Sequence, residues 1–189
     1  MIRIGILGDI GAGKSYVARS FGYPVFNADK EVAQIYKNNR RVFHKLKKSL
    51  PKYINAFPIS KSEICEAIIA DKNNLKKIVK IVHYEVRKKL SIFIKKNQKK
   101  KIVVLDIPLL LENNINKKKD ILIFVQAKKF DVEKRLLKRV NFNSKLIKKF
   151  RNIQFSLSYK KNKATFIIKN NFRKKSVKKD IKSILKKIL

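Results

Sequence analysis

Gly8-Asp9-Ile10-Gly11-Ala12-Gly13-Lys14-Ser15 fits the pattern G-x-x-x-x-G-K-[ST], in which a glycine-rich turn cradles the phosphates of a nucleoside triphosphate. Its surroundings agree with that reading. Ile2, Ile4, Ile6 and Leu7 form an apolar, β-branched run before it, which reads as a buried strand. Ser15 to Phe21 reads as a helix closing near Gly22, with Pro24 just beyond. Gly8, Gly11 and Gly13 permit a tight turn and close approach of the backbone to an anion. The loop N–H groups and the helix start add partial positive charge. In such a loop Lys14 reaches the β- and γ-phosphates and the Ser15 hydroxyl binds Mg²⁺.

Working outward, Val25 and Phe26 suggest a second short strand, and Asp29 stands where it gives way to a helix. Apolar residues from Val32 to Leu46 are spaced for an amphipathic helix that breaks near Asn38-Asn39. From Ser62 to about Asn97 the pattern is again helical, interrupted at Asp71 to Asn74. Residues 30–97 therefore read as a helical insert, a natural place for a second substrate. Ile102 to Asp106 and Ile121 to Val125 are continuous apolar strands, which favours a parallel sheet covered on both faces. Asp106 ends its strand, where open α/β sheets gather ligands. Helices are expected from Asp131, as N-cap, to about Arg139, from Ser144 to Ser156, and from Ser176 to Leu189, with a last strand at 164–168.

The chain of 189 residues is 44% hydrophobic, enough for one α/β domain with a core. No apolar run approaches the roughly 20 residues that span a bilayer, and the N-terminus has no signal-peptide pattern. One cysteine, Cys65, makes an intrachain disulfide impossible, and a reduced cytoplasmic setting is expected. Lys and Arg number 49 against 13 Asp and Glu, a net charge of +36. Such a charge suits polyanions. The lysines are dispersed, however, which fits a solvated surface and an AT-rich coding bias better than a dedicated nucleic-acid face.

A phosphate loop does not name a substrate. Leu105-Asp106-Ile107-Pro108-Leu109-Leu110-Leu111-Glu112, Asn27-Ala28-Asp29 and Val82-His83-Tyr84-Glu85-Val86-Arg87 are more particular. With Arg135-x-x-x-Arg139, Gln154 and the strand from Ala164 to Asn170, they resemble the dephospho-coenzyme A kinase family in order over nearly the whole chain. The resemblance implies a three-layer P-loop kinase fold with a central parallel sheet. Its core covers about 1–29, 99–130 and 160–189, its helical substrate-binding insert about 30–98, and a small lid about 131–159.

The implied reaction is transfer of the ATP γ-phosphoryl to the ribose 3′-hydroxyl of dephospho-coenzyme A, with Mg²⁺. Asp29, Lys14 and Arg139 would be catalytic. ATP would meet Gly8, Ile10, Gly11, Ala12, Gly13, Lys14, Ser15, Tyr16, Arg135, Arg139 and Asn170. The acceptor would meet Asp29, His83, Arg87, Asp106, Pro108, Leu109 and Glu112. Ser15 and Asp106 would serve the metal. The expected partners are these small molecules, with no specific nucleic acid and no membrane, and the chain a monomer or weak homo-oligomer.

The chain departs from the family pattern at several positions. Asp9 stands where a glycine is usual, so its carboxylate must point away from bound phosphates or repel them. Asn27 replaces an aspartate, Tyr16 a small hydroxyl residue, Tyr84 a proline and Thr165 an aspartate. Two other readings remain: another small P-loop nucleotide or metabolite kinase, and a basic nucleic-acid-binding protein built on a P-loop fold.

Overall fold

Strand β1 (Ile2–Gly8) lies in the middle of a five-stranded sheet, and its apolar run makes that position possible. The computed structural model describes residues 1–138 and 142–189. They form two compact units, one comprising Met1–Asn27, Asn97–Phe142 and Arg151–Leu189, the other Ala28–Lys96 and Asn143–Phe150.

The larger unit holds the sheet. Strands β2 (Val25–Asn27), β3 (Ile102–Asp106), β4 (Ile121–Gln126) and β5 (Phe166–Lys169) join β1 in the order β2-β3-β1-β4-β5. All four pairings are parallel. Parallel strands need crossovers and become buried on both faces, which is why β1, β3 and β4 are apolar almost without alternation.

One face is closed by helices α1 (Lys14–Ser20) and α9 (Lys174–Ile188). Val17 and Ala18 of α1 and Val177, Ile181 and Ile184 of α9 pack with Ile4, Ile6, Val104, Ile123 and Val125. Helix α6 (Lys129–Leu137) follows β4, and α8 (Leu157–Lys163) packs against β1 and β4.

The smaller unit is helical. Helices α2 (Ala28–Asn38), α3 (Arg40–Ser49) and α4 (Lys61–Ala70) pack against the 25-residue α5 (Lys72–Lys96). The break between α2 and α3 is chemical, since the Asn39 side chain accepts from Val42 N at 3.0 Å. Helix α4 starts with a capping box between Ser60 and Glu63. Burial alone would raise the Glu63 pKa, but its bonds to the backbones of Asn55 and Ser60 outweigh that and lower it. The end of α4 is tied to α5 by Asn74 Nδ2, which donates to Ala67 O at 2.9 Å.

Three expectations need correction. Asp131 lies in the first turn of α6 rather than at its cap, which is Lys128 without a side-chain bond. The helix expected to reach Ser156 is α7 (Ser144–Asn152), and α8 follows as a separate helix. Ser156 caps α8 by accepting from Tyr159 N, and its lysine-rich sequence shows little apolar periodicity. The last strand begins at Phe166, because the Thr165 hydroxyl oxygen, and not a backbone carbonyl, accepts from Leu122 N at 3.3 Å. Among the described residues no helix is long and apolar enough to cross a membrane.

Helix α8 also buries a lysine. Lys160 is 1% exposed, and its Nζ lies 2.8 Å from Glu112 Oε1 and donates to Gln154 Oε1 at 2.8 Å. The same Glu112 oxygen accepts from Phe155 N at 2.9 Å. A buried ammonium needs this company. Glu112→Ala is expected to destabilise the chain by about 3 kcal/mol, the cost of leaving a buried charge without its counter-ion, measured as a fall in the urea or thermal midpoint.

Candidate active site

The loop after β1 takes the shape its glycines permit. Gly8, Gly11 and Gly13 have φ of 142°, 87° and 90°, values that strain any residue with a Cβ. The space is closed as well. A Cβ on Gly8 would lie 2.7 Å from Val125 O, and one on Gly11 would meet Leu136 and Val132 of α6 at 3.0–3.1 Å. One on Gly13 would run into the Asn170 amide.

Asn170 is 3% exposed and donates to Ala12 O at 2.8 Å, while its Oδ1 accepts from Phe172 N. Thus β4, α6 and the segment after β5 together hold the loop. Ala12 is buried, and Ile10 and Tyr16 are partly buried. Gly13 caps α1 in a left-handed conformation, and Lys14, Ser15 and Tyr16 form the helix's first turn. Lys14 Nζ arches back over the loop, donating to Gly8 O at 3.2 Å and Asp9 O at 2.8 Å.

Arg135, on α6, stacks its guanidinium 4.3 Å from the centre of the Phe172 ring, a cation–π contact. Phe172 has φ of 62° and its ring edge lies near Gly13. Arg139, expected as a catalytic cation, lies outside the described residues.

The register of β2 on β3 sets Asn27 opposite Asp106. Asp106 is 3% exposed, and the Asn27 amide donates to its Oδ2. An aspartate at position 27 would put two acceptors face to face unless one held a proton. The amide removes that conflict. Pro108 and Leu109 follow β3 in a turn that Asn113 fastens, its Nδ2 donating to Leu109 O at 3.0 Å. Glu112, expected to meet the acceptor, has Oε1 engaged by Lys160 and Phe155. Its Oε2 is buried without a hydrogen-bond partner among the described residues.

The remaining expected residues belong to the smaller unit. Asp29 is exposed in the first turn of α2. His83 and Arg87 lie one turn apart on α5. Burial and then the neighbouring Arg87 charge hold the His83 pKa below its ordinary value, so the imidazole is neutral at pH 7. It can then both donate and accept a hydrogen bond.

Three residues of the larger unit carry structure that the sequence did not single out. Arg151 pairs with Asp9, its Nη2 2.8 Å from Oδ2. Lys160 holds Glu112, and Phe172 carries Arg135. A lone arginine 142 positions from its partner leaves no local signal, and Lys160 is one of many lysines. Phe172 follows Asn170 by two residues, so extending the last motif would have reached it. Among the described residues no group of three His, Cys, Asp or Glu side chains could hold a metal ion.

Comparison with known proteins agrees with the geometry. The family model described as dephospho-CoA kinase matches residues 2–176. A dephospho-CoA kinase of Wolbachia pipientis is 32% identical over 187 residues, covering 96% of this chain and 95% of the relative. One of Bartonella quintana is 31% identical over 191 residues, covering 98% and 97%. A crystal structure from Thermus thermophilus superposes with a TM-score of 0.77 at 25% identity, covering 100% of this chain and 98% of the other. The glycine loop, the all-parallel sheet and the match across the chain have one consequence: the chain belongs to the dephospho-CoA kinase family, phosphotransferases that act on an alcohol group.

Proposed function

We propose that this chain transfers the γ-phosphoryl of ATP to the ribose 3′-hydroxyl of dephospho-coenzyme A, the final step of coenzyme A synthesis. The observation that carries this reading is the Gly8–Ser15 loop, with three positive-φ glycines and the Lys14 ammonium over them. The family match along the chain supports dephospho-coenzyme A as the acceptor.

Phosphoryl transfer asks chiefly for positioning and charge stabilisation. Loop N–H groups and Lys14 bind the phosphates, Lys14 exchanging its bonds to Gly8 O and Asp9 O for phosphate oxygens. Arg135 and Phe172 offer a cation and an aromatic face beside the loop, suited to a purine base. Arg139 neutralises charge on the transferred group.

Asp29 takes the proton of the attacking hydroxyl as the new O–P bond forms and the bond to the ADP oxygen breaks. His83 and Arg87 hold the acceptor from α5. Pro108 and Leu109 line the turn after β3, and the unpartnered Glu112 Oε2 accepts from the substrate.

Mg²⁺ fits the donors this chain supplies. Ser15 offers a hydroxyl oxygen and Asp106 a carboxylate already oriented by Asn27. Hard oxygen ligands in small number suit a cation that keeps waters and shares phosphate oxygens. When bound, the ion offsets negative charge on the nucleotide's phosphates.

An acceptor panel tests the reading. With ATP and Mg²⁺, dephospho-coenzyme A should be consumed in preference to adenylate, thymidylate, shikimate and gluconate. Preference for any of the others would replace it with another small P-loop kinase. Asp29→Asn is expected to lower kcat by at least about 100-fold while ATP still binds by calorimetry. Retained turnover would remove Asp29 from the role of base. His83→Ala should raise KM for dephospho-coenzyme A about tenfold, the cost of one or two hydrogen bonds, with KM for ATP little changed.

A further inference from the structure

Asp9 places a carboxylate inside a loop built to receive anions, and its surroundings deal with that charge. Arg151 grips it with two parallel bonds, Nη2 to Oδ2 at 2.8 Å and Nε to Oδ1 at 3.2 Å. Oδ1 also accepts from Ile10 N at 2.7 Å. The carboxylate is thereby fixed on both oxygens, by a guanidinium from the end of α7 and by the loop's own backbone. Both residues lie in the larger unit, and the side chains are 40% and 21% exposed. The reaction described above uses neither of them.

We propose that Arg151 is a positioning residue for ATP: it neutralises and immobilises Asp9, so that the Gly8–Ser15 loop can accept the nucleotide's phosphates despite carrying a carboxylate. The inference rests on assigning ATP to that loop. The fork geometry matters as much as the charge. A guanidinium can hold both carboxylate oxygens at once, whereas an ammonium offers a point charge. Without Arg151, Asp9 would turn about its own side-chain bonds and set a negative charge against the phosphates. At such short range, salt at physiological strength, with a Debye length of about 8 Å, screens only part of the repulsion.

A double-mutant cycle on ATP affinity separates this role from a direct contact. The variants are Arg151→Ala, Arg151→Lys, Asp9→Gly, and Asp9→Gly with Arg151→Ala. Thermal midpoint and dephospho-coenzyme A affinity are read alongside as folding controls. Arg151→Ala is expected to weaken ATP binding about tenfold, raising KM for ATP with a much smaller change in kcat. Arg151→Lys recovers part of the loss. In the Asp9→Gly background, removing Arg151 changes ATP affinity by less than about threefold.

An unchanged ATP affinity in Arg151→Ala overturns the proposal. So does an equal loss in both backgrounds, which would put the guanidinium on the nucleotide itself. If the unmodified chain binds no ATP, the assignment of the loop fails and takes this inference with it. Bound ATP with no Asp9-dependent effect removes the inference alone.

Discussion

Everything in the larger unit answers to a backbone that must turn through three positive-φ glycines without room for a single Cβ. The loop cannot hold that shape by itself. Val125 at the end of β4 fills the space at Gly8, Leu136 and Val132 fill it at Gly11, and the Asn170 amide fills it at Gly13. Three segments far apart in sequence thus form one mould. The order β2-β3-β1-β4-β5 brings them to it, since β4 lies beside β1 and β5 beside β4. A loop whose donors must be in place before the anion arrives gains from a rigid surround.

In a chain with 49 basic and 13 acidic side chains, cations carry little positional information and carboxylates carry much. Several acids are committed. Asp9 is held by Arg151, Glu112 by Lys160, and Glu31 by Lys89. Asp120 is held by Arg3, although burial, the larger influence, still raises its pKa against that pairing. The more exposed pairs, Asp9 with Arg151 and Glu31 with Lys89, contribute little to stability. Their value here is placement: each fixes a loop or helix end that would otherwise sit among like charges. The buried pair of Lys160 and Glu112 is the extreme case, joining the turn after β3 to the middle of α8.

Much of this was legible in the sequence because it is local. The phosphate loop, the apolar strands and the break at Asn39 each follow from a few consecutive residues. The fold class followed from apolar strands separated by helical stretches. What escaped was non-local or disguised by composition. Helix α8 hides in Leu157–Lys163, where three lysines and exposed Leu157 and Tyr159 erase the amphipathic pattern. Lys160 looks like its neighbours until the fold buries it. The conflict at Asp9 could be seen as a misplaced charge, yet its resolution by Arg151 depends on chain folding that brings position 151 back to position 9.

The central place of β1 has a consequence for the chain as it is made. Ile2 pairs with Ile102, and Ile4 with both Val104 and Ile121. At a synthesis rate of ~5–20 residues per second, the first strand waits roughly 5–20 seconds for its first β3 partner to be made. During that interval a β-branched apolar strand has both edges unpaired, the condition under which strands join the wrong neighbour. The helices of residues 28–96 are made in between and satisfy their own backbones locally. A nascent chain of this protein is therefore an assembly problem for its N-terminus, and ribosome pausing before β3 lengthens the exposure.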